Sequence, residues 1–159
     1  MKEVKQNPLN GVKQNQMNEV KQNLMNEVKQ NLMNETIQKR KSRRVFSKKQ
    51  LSEALLQKIE EKIRKIDVKY DVNIELIEDG SKAFASFGKS YGLFKNVRSL
   101  ILLKGNPGMR HFREKMGYYG EKLLLFAESL GLDTCWVGGT FDRESFSYPE
   151  EEHIQAVIL

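Results

Sequence analysis

The sequence predicts a mixed α and β fold, and three observations carry that prediction. Two stretches, around residues 52–66 and 109–130, repeat apolar residues at helical spacing. Four short apolar runs bounded by turn residues read as strands. Helices and strands alternate along the chain, the order expected when helices cover a sheet. The chain has 159 residues, and the first 36 read as a separate segment, leaving 123 for the globular part. That length buries a core without disulfides or metals.

The elements follow in order. Residues 1–36 form an internal repeat of period eight, roughly EVKQNLMN, with Val4, Val12, Val20 and Val28 recurring and Thr36 in the next slot. Met17, Met25 and Met33 recur with them. Eight residues turn a helix through roughly 800°, about 80° beyond two full turns. The valines therefore drift around a helix instead of forming a seam, as a heptad would. With its Asn and Gln content, the segment reads as low-complexity sequence, disordered or loosely helical. The functional alternative is an oligomerising helix, which the period argues against.

Next comes Ile37 to Lys49 (IQKRKSRRVFSKK), with seven basic residues and no acid. Leu55, Ile59 and Ile63 then step by four, with Leu56 and Ile66 beside them, and Ser52 and Glu53 suit a helix start. Val72 to Ile77 reads as a strand, closed by a turn at Asp79 and Gly80. Phe84 to Phe94 has aromatics and glycines without a clear period. Ser99 to Leu103 reads as a buried strand, and Asn106-Pro107-Gly108 breaks it. From Met109 to Leu130 the residues Phe112, Met116, Tyr119, Leu123, Phe126 and Leu130 form a helical core stripe that stops at Gly131. Asp133 to Val137 is a strand ending at Gly138 and Gly139. Phe141 to Phe146 suits a short helix, and His153 to Leu159 a last strand. The chain halts on Val157-Ile158-Leu159 with no polar cap, the pattern of an incomplete domain or of a sheet that another chain completes.

Composition excludes several functions. The single cysteine, Cys135, rules out a disulfide framework, and with only His111 and His153 no metal site is expected. No apolar run reaches the roughly 20 residues that span a bilayer. The N-terminus lacks the apolar core of a secretory signal, so the reading is cytoplasmic with no membrane partner. Net charge is +6, from 27 Lys and Arg against 21 Asp and Glu. The tail contributes only +1 of it, from five lysines and four glutamates. The density in 37–49 suits a phosphate-bearing ligand, nucleic acid or an anionic surface, or is simply a solvated approach to the helix. Cys135, on a buried strand, reads as an inert core thiol, and His111 as a surface helix residue without a catalytic partner. Glu150 to Glu152 reads as an exposed turn.

Three segments in order resemble the FMN-dependent nitroreductase family, its divergent branch in particular. Ile37 to Phe46 is similar to the opening pattern I-x-x-R-x-S-x-R-x-F. Gly117 to Leu132 (GYYGEKLLLFAESLGL) resembles the long core helix with its glycine stop. Asp133 to Phe141 (DTCWVGGTF) resembles the strand and glycine turn beside the flavin ring. The resemblance implies an α+β, three-layer α/β/α sandwich with a mixed, mainly antiparallel sheet, present over 37–159 as a partial domain. It implies FMN as cofactor and NAD(P)H as reductant, with hydride passing through flavin N5 to a nitroaromatic, quinone or similar small-molecule acceptor. The flavin then does the chemistry, and no catalytic side chain is expected.

By the same resemblance, Arg40 and Ser42 hold the FMN phosphate and ribityl chain, for which an arginine fork and a hydroxyl are suited. Lys41 assists, and Arg44 lies near the N1/O2 edge, where a cation stabilises the reduced ring. Gly138 and Gly139 bring main chain close to N5, Val137 packs on the ring face, and Trp136 faces the core. The family's Asn- and Gln-containing segment has no clear counterpart, Lys95 or Asn96 being the nearest. Its late Lys/Arg pair on the phosphate would lie beyond Leu159. A homodimer or pseudo-dimer is implied. Two alternatives stand beside this reading: a basic nucleic-acid-binding protein using residues 37–49, and a degenerate paralogue without flavin.

Overall fold

The structure, a computed structural model, describes residues 8–70 and 72–159, with side chains from residue 14 onward. Val4 and the side chain of Val12 lie outside the described residues. The chain divides into two units, ending and beginning at Lys39 and Arg40.

The first unit is one helix, α1 (Pro8–Lys39). Its apolar side chains do not share a stripe: Met17, Val20, Leu24, Met25, Val28 and Leu32 are all about half exposed or more. This is the drift that an eight-residue period imposes on a 3.6-residue turn. Polar pairs one turn apart line the helix instead, such as Gln22 to Asn26 and Lys39 to Glu35.

The second unit runs in the order α2 (Glu53–Tyr70), β1 (Asn73–Ile77), α3 (Phe87–Ser90), β2 (Leu100–Gly105), α4 (Phe112–Ser129), β3 (Trp136–Val137) and β4 (His153–Ile158). The four strands form one antiparallel sheet in the order β1-β2-β4-β3. The predicted mixed fold class holds, with the sheet open and antiparallel. The predicted strands at 99–103 and 153–159 are β2 and β4, which lie side by side at the centre. Two parallel bridges, Ser42 with Thr134 and Val45 with Lys95, attach the basic segment to the unit and account for the mixed character.

Strand alternation divides the core in two. On one face Ile101 and Leu103 of β2 meet α2 (Ile59, Ile63, Ile66) and α4 (Phe112, Met116, Tyr119, Leu123). On the other, Leu100 and Leu102 meet Phe84, Phe141, Val137 and Val157. This second face is covered by two short 3-10 turns, Ser81–Phe84 and Arg143–Ser145, so the expected helix at 141–146 is a single tight turn. The α2 helix begins where Ser52 predicts, its carbonyl accepting from the N–H groups of Leu55 and Leu56. No helix among the described residues is long and apolar enough to cross a membrane.

Candidate functional site

Between α1 and α2 the basic segment has no helix or strand of its own. Its backbone hydrogen bonds must therefore go elsewhere, and they fix it to the unit at two places. The Arg43 N–H donates to the Thr134 carbonyl at 3.0 Å, within the Ser42–Thr134 bridge. Further on, the Lys95 N–H donates to the Arg44 carbonyl at 2.9 Å and the Phe46 N–H to the Lys95 carbonyl at 3.0 Å. Asn96 completes the fastening: its side-chain amide donates to the Phe46 carbonyl at 2.9 Å. Asn96 sits at φ 59°, a left-handed conformation that asparagine tolerates better than most residues.

Side chains at the anchored segment remain open. Arg40 Nη1 donates to the Ser42 hydroxyl at 3.3 Å, so these two are adjacent. Lys41, Ser42 and Arg44 are exposed. Arg43 is the exception, paired with Asp133 at 3.4 Å. Among the described residues no carboxylate lies within ion-pair distance of Arg40, Lys41 or Arg44. Three unpaired cations and a hydroxyl on a short anchored stretch form an anion-binding surface by their chemistry alone.

The Thr134 that holds Ser42 continues through Cys135 into β3. Cys135 pairs with Leu159 by two backbone hydrogen bonds of 3.0 and 3.1 Å, which stiffens this stretch before it reaches Gly138. Four residues of extended chain place Gly138 roughly 13 Å along from Thr134. Gly138 and Gly139 are both exposed, and a Cβ built on either would meet nothing within 4 Å. The turn therefore presents open main chain, and nothing within the unit requires glycine there. Arg143 steadies it: Nη2 donates to the Gly138 carbonyl at 2.7 Å, and the guanidinium lies 4.6 Å from the centre of the Phe141 ring.

The flanking residues divide cleanly. Trp136 faces the first core layer, its indole N–H donating to Glu121 at 2.8 Å. Val137 is turned into the second layer and is 2% exposed, so its side chain does not reach the surface of the unit. Cys135 is buried at 3%. His111 lies at the start of α4, exposed, its Nδ1 3.5 Å from Glu114. Arg40, Lys41, Ser42 and Arg44 thus lie along one segment, with Lys95 bonded to its backbone at Arg44 and Phe46, while Gly138 and Gly139 follow the Thr134 stretch to which Arg43 is bonded. Arg143 was not singled out from the sequence. Only its place two residues beyond an aromatic marks it, and that is no signal of a role.

An antiparallel sheet with two long helices on one face, and a basic segment fastened to its edge strand, places the chain in the nitroreductase fold class. It belongs to the family described as "Putative TM nitroreductase", whose model matches residues 31–159. Among solved structures it is similar to a nitroreductase family protein from Clostridium difficile 630, with 20% identity, a TM-score of 0.61, and coverage of 79% of this chain and 80% of that one. An FMN-dependent nitroreductase from Clostridium difficile R20291 is 19% identical, with a TM-score of 0.62 over 77% of this chain and 83% of that one. Nitroreductase A from Vibrio parahaemolyticus is also 19% identical, with a TM-score of 0.62 over 80% of this chain and 65% of that one. No curated protein matches the chain.

Proposed function

We propose that this chain is an FMN-dependent oxidoreductase of nitroreductase type, cytoplasmic, working with NAD(P)H and a nitroaromatic, quinone or similar acceptor. FMN, when bound, supplies hydride transfer at its N5 position. The residues of the chain bind and orient it. The carrying observation is the anchored basic segment: its backbone is bonded at Arg43 to Thr134, on the stretch that leads into the open Gly138–Gly139 turn, and at Arg44 and Phe46 to Lys95.

Each residue has a defined task in this reading. Arg40 and Ser42, already adjacent at 3.3 Å, hold the phosphate end, and Lys41 adds charge. Arg44, with Lys95 fixed to its carbonyl, supplies positive charge beside the N1/O2 edge and favours the reduced form. At Gly138 and Gly139 main chain alone approaches the ring, the closest approach that a polypeptide allows. Val137 contributes through its backbone, since its side chain belongs to the core. Arg143, bonded to the Gly138 carbonyl, keeps this turn in place. Two copies of the chain are proposed to pair as a homodimer.

A visible spectrum of the purified protein, recorded with added FMN after free ligand is removed, tests the reading. Retained flavin that NADH or NADPH bleaches is the expected result. The double variant Arg40→Ala/Ser42→Ala should lose the flavin and keep its far-UV circular dichroism. Flavin retention equal to the parent in that folded variant sinks the assignment.

A further inference from the structure

The eight-residue repeat denies α1 a straight seam, but it sorts the side chains by kind. Eight is twice four, so residues four apart stay in one row, each step turning roughly 40° further around the helix. One row is apolar: Val20, Leu24, Val28 and Leu32, each more than half exposed. Thr36 closes it, its hydroxyl donating back to the Leu32 carbonyl at 2.8 Å. On one flank runs the row Met17, Lys21, Met25, Lys29 and Met33, and on the other Glu19, Asn23, Glu27, Asn31 and Glu35. The fourth row lies opposite the apolar one and is tied to itself, by hydrogen bonds from Gln22 to Asn26 and from Gln30 to Asn34.

The flanking rows carry charges that the helix cannot pair. Side chains three or four residues apart meet on a helix. Glu19 and Lys21 are two apart, as are Glu27 and Lys29, and Lys21 and Glu27 are six apart. Among the described residues none of these four has an ion-pair partner, whereas Glu35 and Lys39, four apart, hold each other at 3.1 Å. Asparagine is a modest helix former, and helices in proteins draw most of their stability from a packed face. The apolar row and its two charged flanks are the face that α1 has to offer.

We propose that α1 pairs with α1 of a second copy of this chain, the two helices running in the same direction and crossing at their apolar rows. A seam of four residues per turn winds too steeply around a helix for two helices to follow it as a coiled coil. Rows of residues four apart interdigitate instead in helices that cross at about −50°. Charge selects the partner and its sense. A two-fold axis along a parallel pair sets the lysine flank of each copy beside the glutamate flank of the other. An antiparallel pair would set like charges together. Each repeat unit from Glu19 onward has one glutamate and one lysine or none, so this face lacks the cation surplus that suits a lipid surface or a nucleic acid. The pairing uses residues of α1 alone and stands apart from flavin binding.

Disulfide cross-linking of the full chain under mild oxidation tests it. The parent's one thiol, Cys135, is buried and sets the blank. Val28→Cys, on the apolar row, is expected to cross-link between copies about tenfold faster than Asn26→Cys, at nearly the same height on the opposite row. A dimer formed elsewhere in the molecule raises both rates alike, so their ratio reports α1. Adding Glu19→Lys and Glu27→Lys to the Val28→Cys chain puts cations on both flanks and should slow its cross-linking about tenfold. Co-expressed with a Val28→Cys chain that carries Lys21→Glu and Lys29→Glu, it should form mixed pairs in preference to like ones. Equal rates at positions 28 and 26 overturn the pairing. Cross-linking at position 28 that the charge changes leave unaltered overturns the parallel sense, and the proposal with it.

Discussion

Gly120 shows how one residue fixes the spacing between α4 and the sheet. A Cβ at this position would fall against the Trp136 ring and 2.8 Å from Leu103 Cδ1. The indole cannot swing away freely, since Glu121 holds its N–H. Gly120→Ala gains helix propensity of about 1 kcal/mol and loses more to overpacking, which costs roughly 1–3 kcal/mol and more where neighbours are held. A net fall in Tm of several degrees in a thermal melt is expected. An unchanged or raised Tm would mean that the helix moves out at no cost. Asp67 makes the opposite case, a polar group that the core tolerates poorly. Burial pushes its carboxyl up to about 6, against the smaller pull of the Ile74 N–H and the Lys104 ammonium. The folded state thus holds a proton that the unfolded chain releases near 3.8. Its stabilising contribution is complete below about pH 4 and is lost as pH rises through 6. Asp67→Asn should therefore flatten the fall in Tm between pH 4.5 and 7.5, and a Tm profile parallel to the parent's would refute this. Neither residue was marked as structural by the sequence. Glycine within a helical stripe and an acid on a helix both read as neutral until their neighbours are known.

At the scale of elements, β4 carries a device that apolar patterning does not reveal. Leu103 pairs with Ala156 but Lys104 pairs with Ile154, so Gln155 is an extra residue that the partner strand does not match. The bulge reverses the alternation. Ala156 and Ile158 face the helical core layer, whereas Ile154 faces the other. Strict alternation would send all three to one side. Deleting Gln155 joins Ile154 directly to Ala156, so regular alternation and the present pairing with Lys104 both keep Ile154 in its layer. A loss well below the roughly 2–5 kcal/mol for removing a buried isoleucine is therefore expected in chemical denaturation. Gln155→Ala keeps the residue count and should change stability by only about 0.5 kcal/mol. A loss of roughly 2–5 kcal/mol on deletion would show that the bulge itself, and not the alternation, holds Ile154 in its layer. The strand itself was legible, because His153 to Leu159 is a short apolar run after a turn. The long helices were legible for the same reason, and α4 departs from the expected 109–130 only by fraying inward to Phe112–Ser129. The stretch from Phe84 to Phe94 was not, since its four-residue helix and tight turns obey local hydrogen bonding, such as Ser90 to the Phe84 and Ser86 carbonyls, and no hydrophobic period.

Across the whole molecule, the question that charge leaves open is what kind of phosphate the surface serves. The sequence could place seven cations in residues 37–49, but not tell which were spent on the protein itself. Lys39 and Arg43 have carboxylate partners, and among the described residues Arg40, Lys41, Arg44, Lys48 and Lys49 have none within ion-pair distance. Five free cations would serve a nucleic-acid backbone as well as a mononucleotide, and net charge cannot separate the two. Salt dependence can. Binding through many backbone phosphates releases a counterion at each, so six to ten contacts lose roughly 10³–10⁵ in affinity between 50 and 200 mM salt. A mononucleotide offers one phosphate group, and the rest of its binding would come from main chain at Gly138–Gly139 and from apolar contact, which salt barely screens. FMN affinity measured by fluorescence quenching is therefore expected to fall less than about tenfold over that range, while a single-stranded oligonucleotide binds weakly and is lost. The reverse pattern, tight oligonucleotide binding with a steep salt slope and no retained flavin, would assign the basic segment to nucleic acid and leave the fold as inherited architecture.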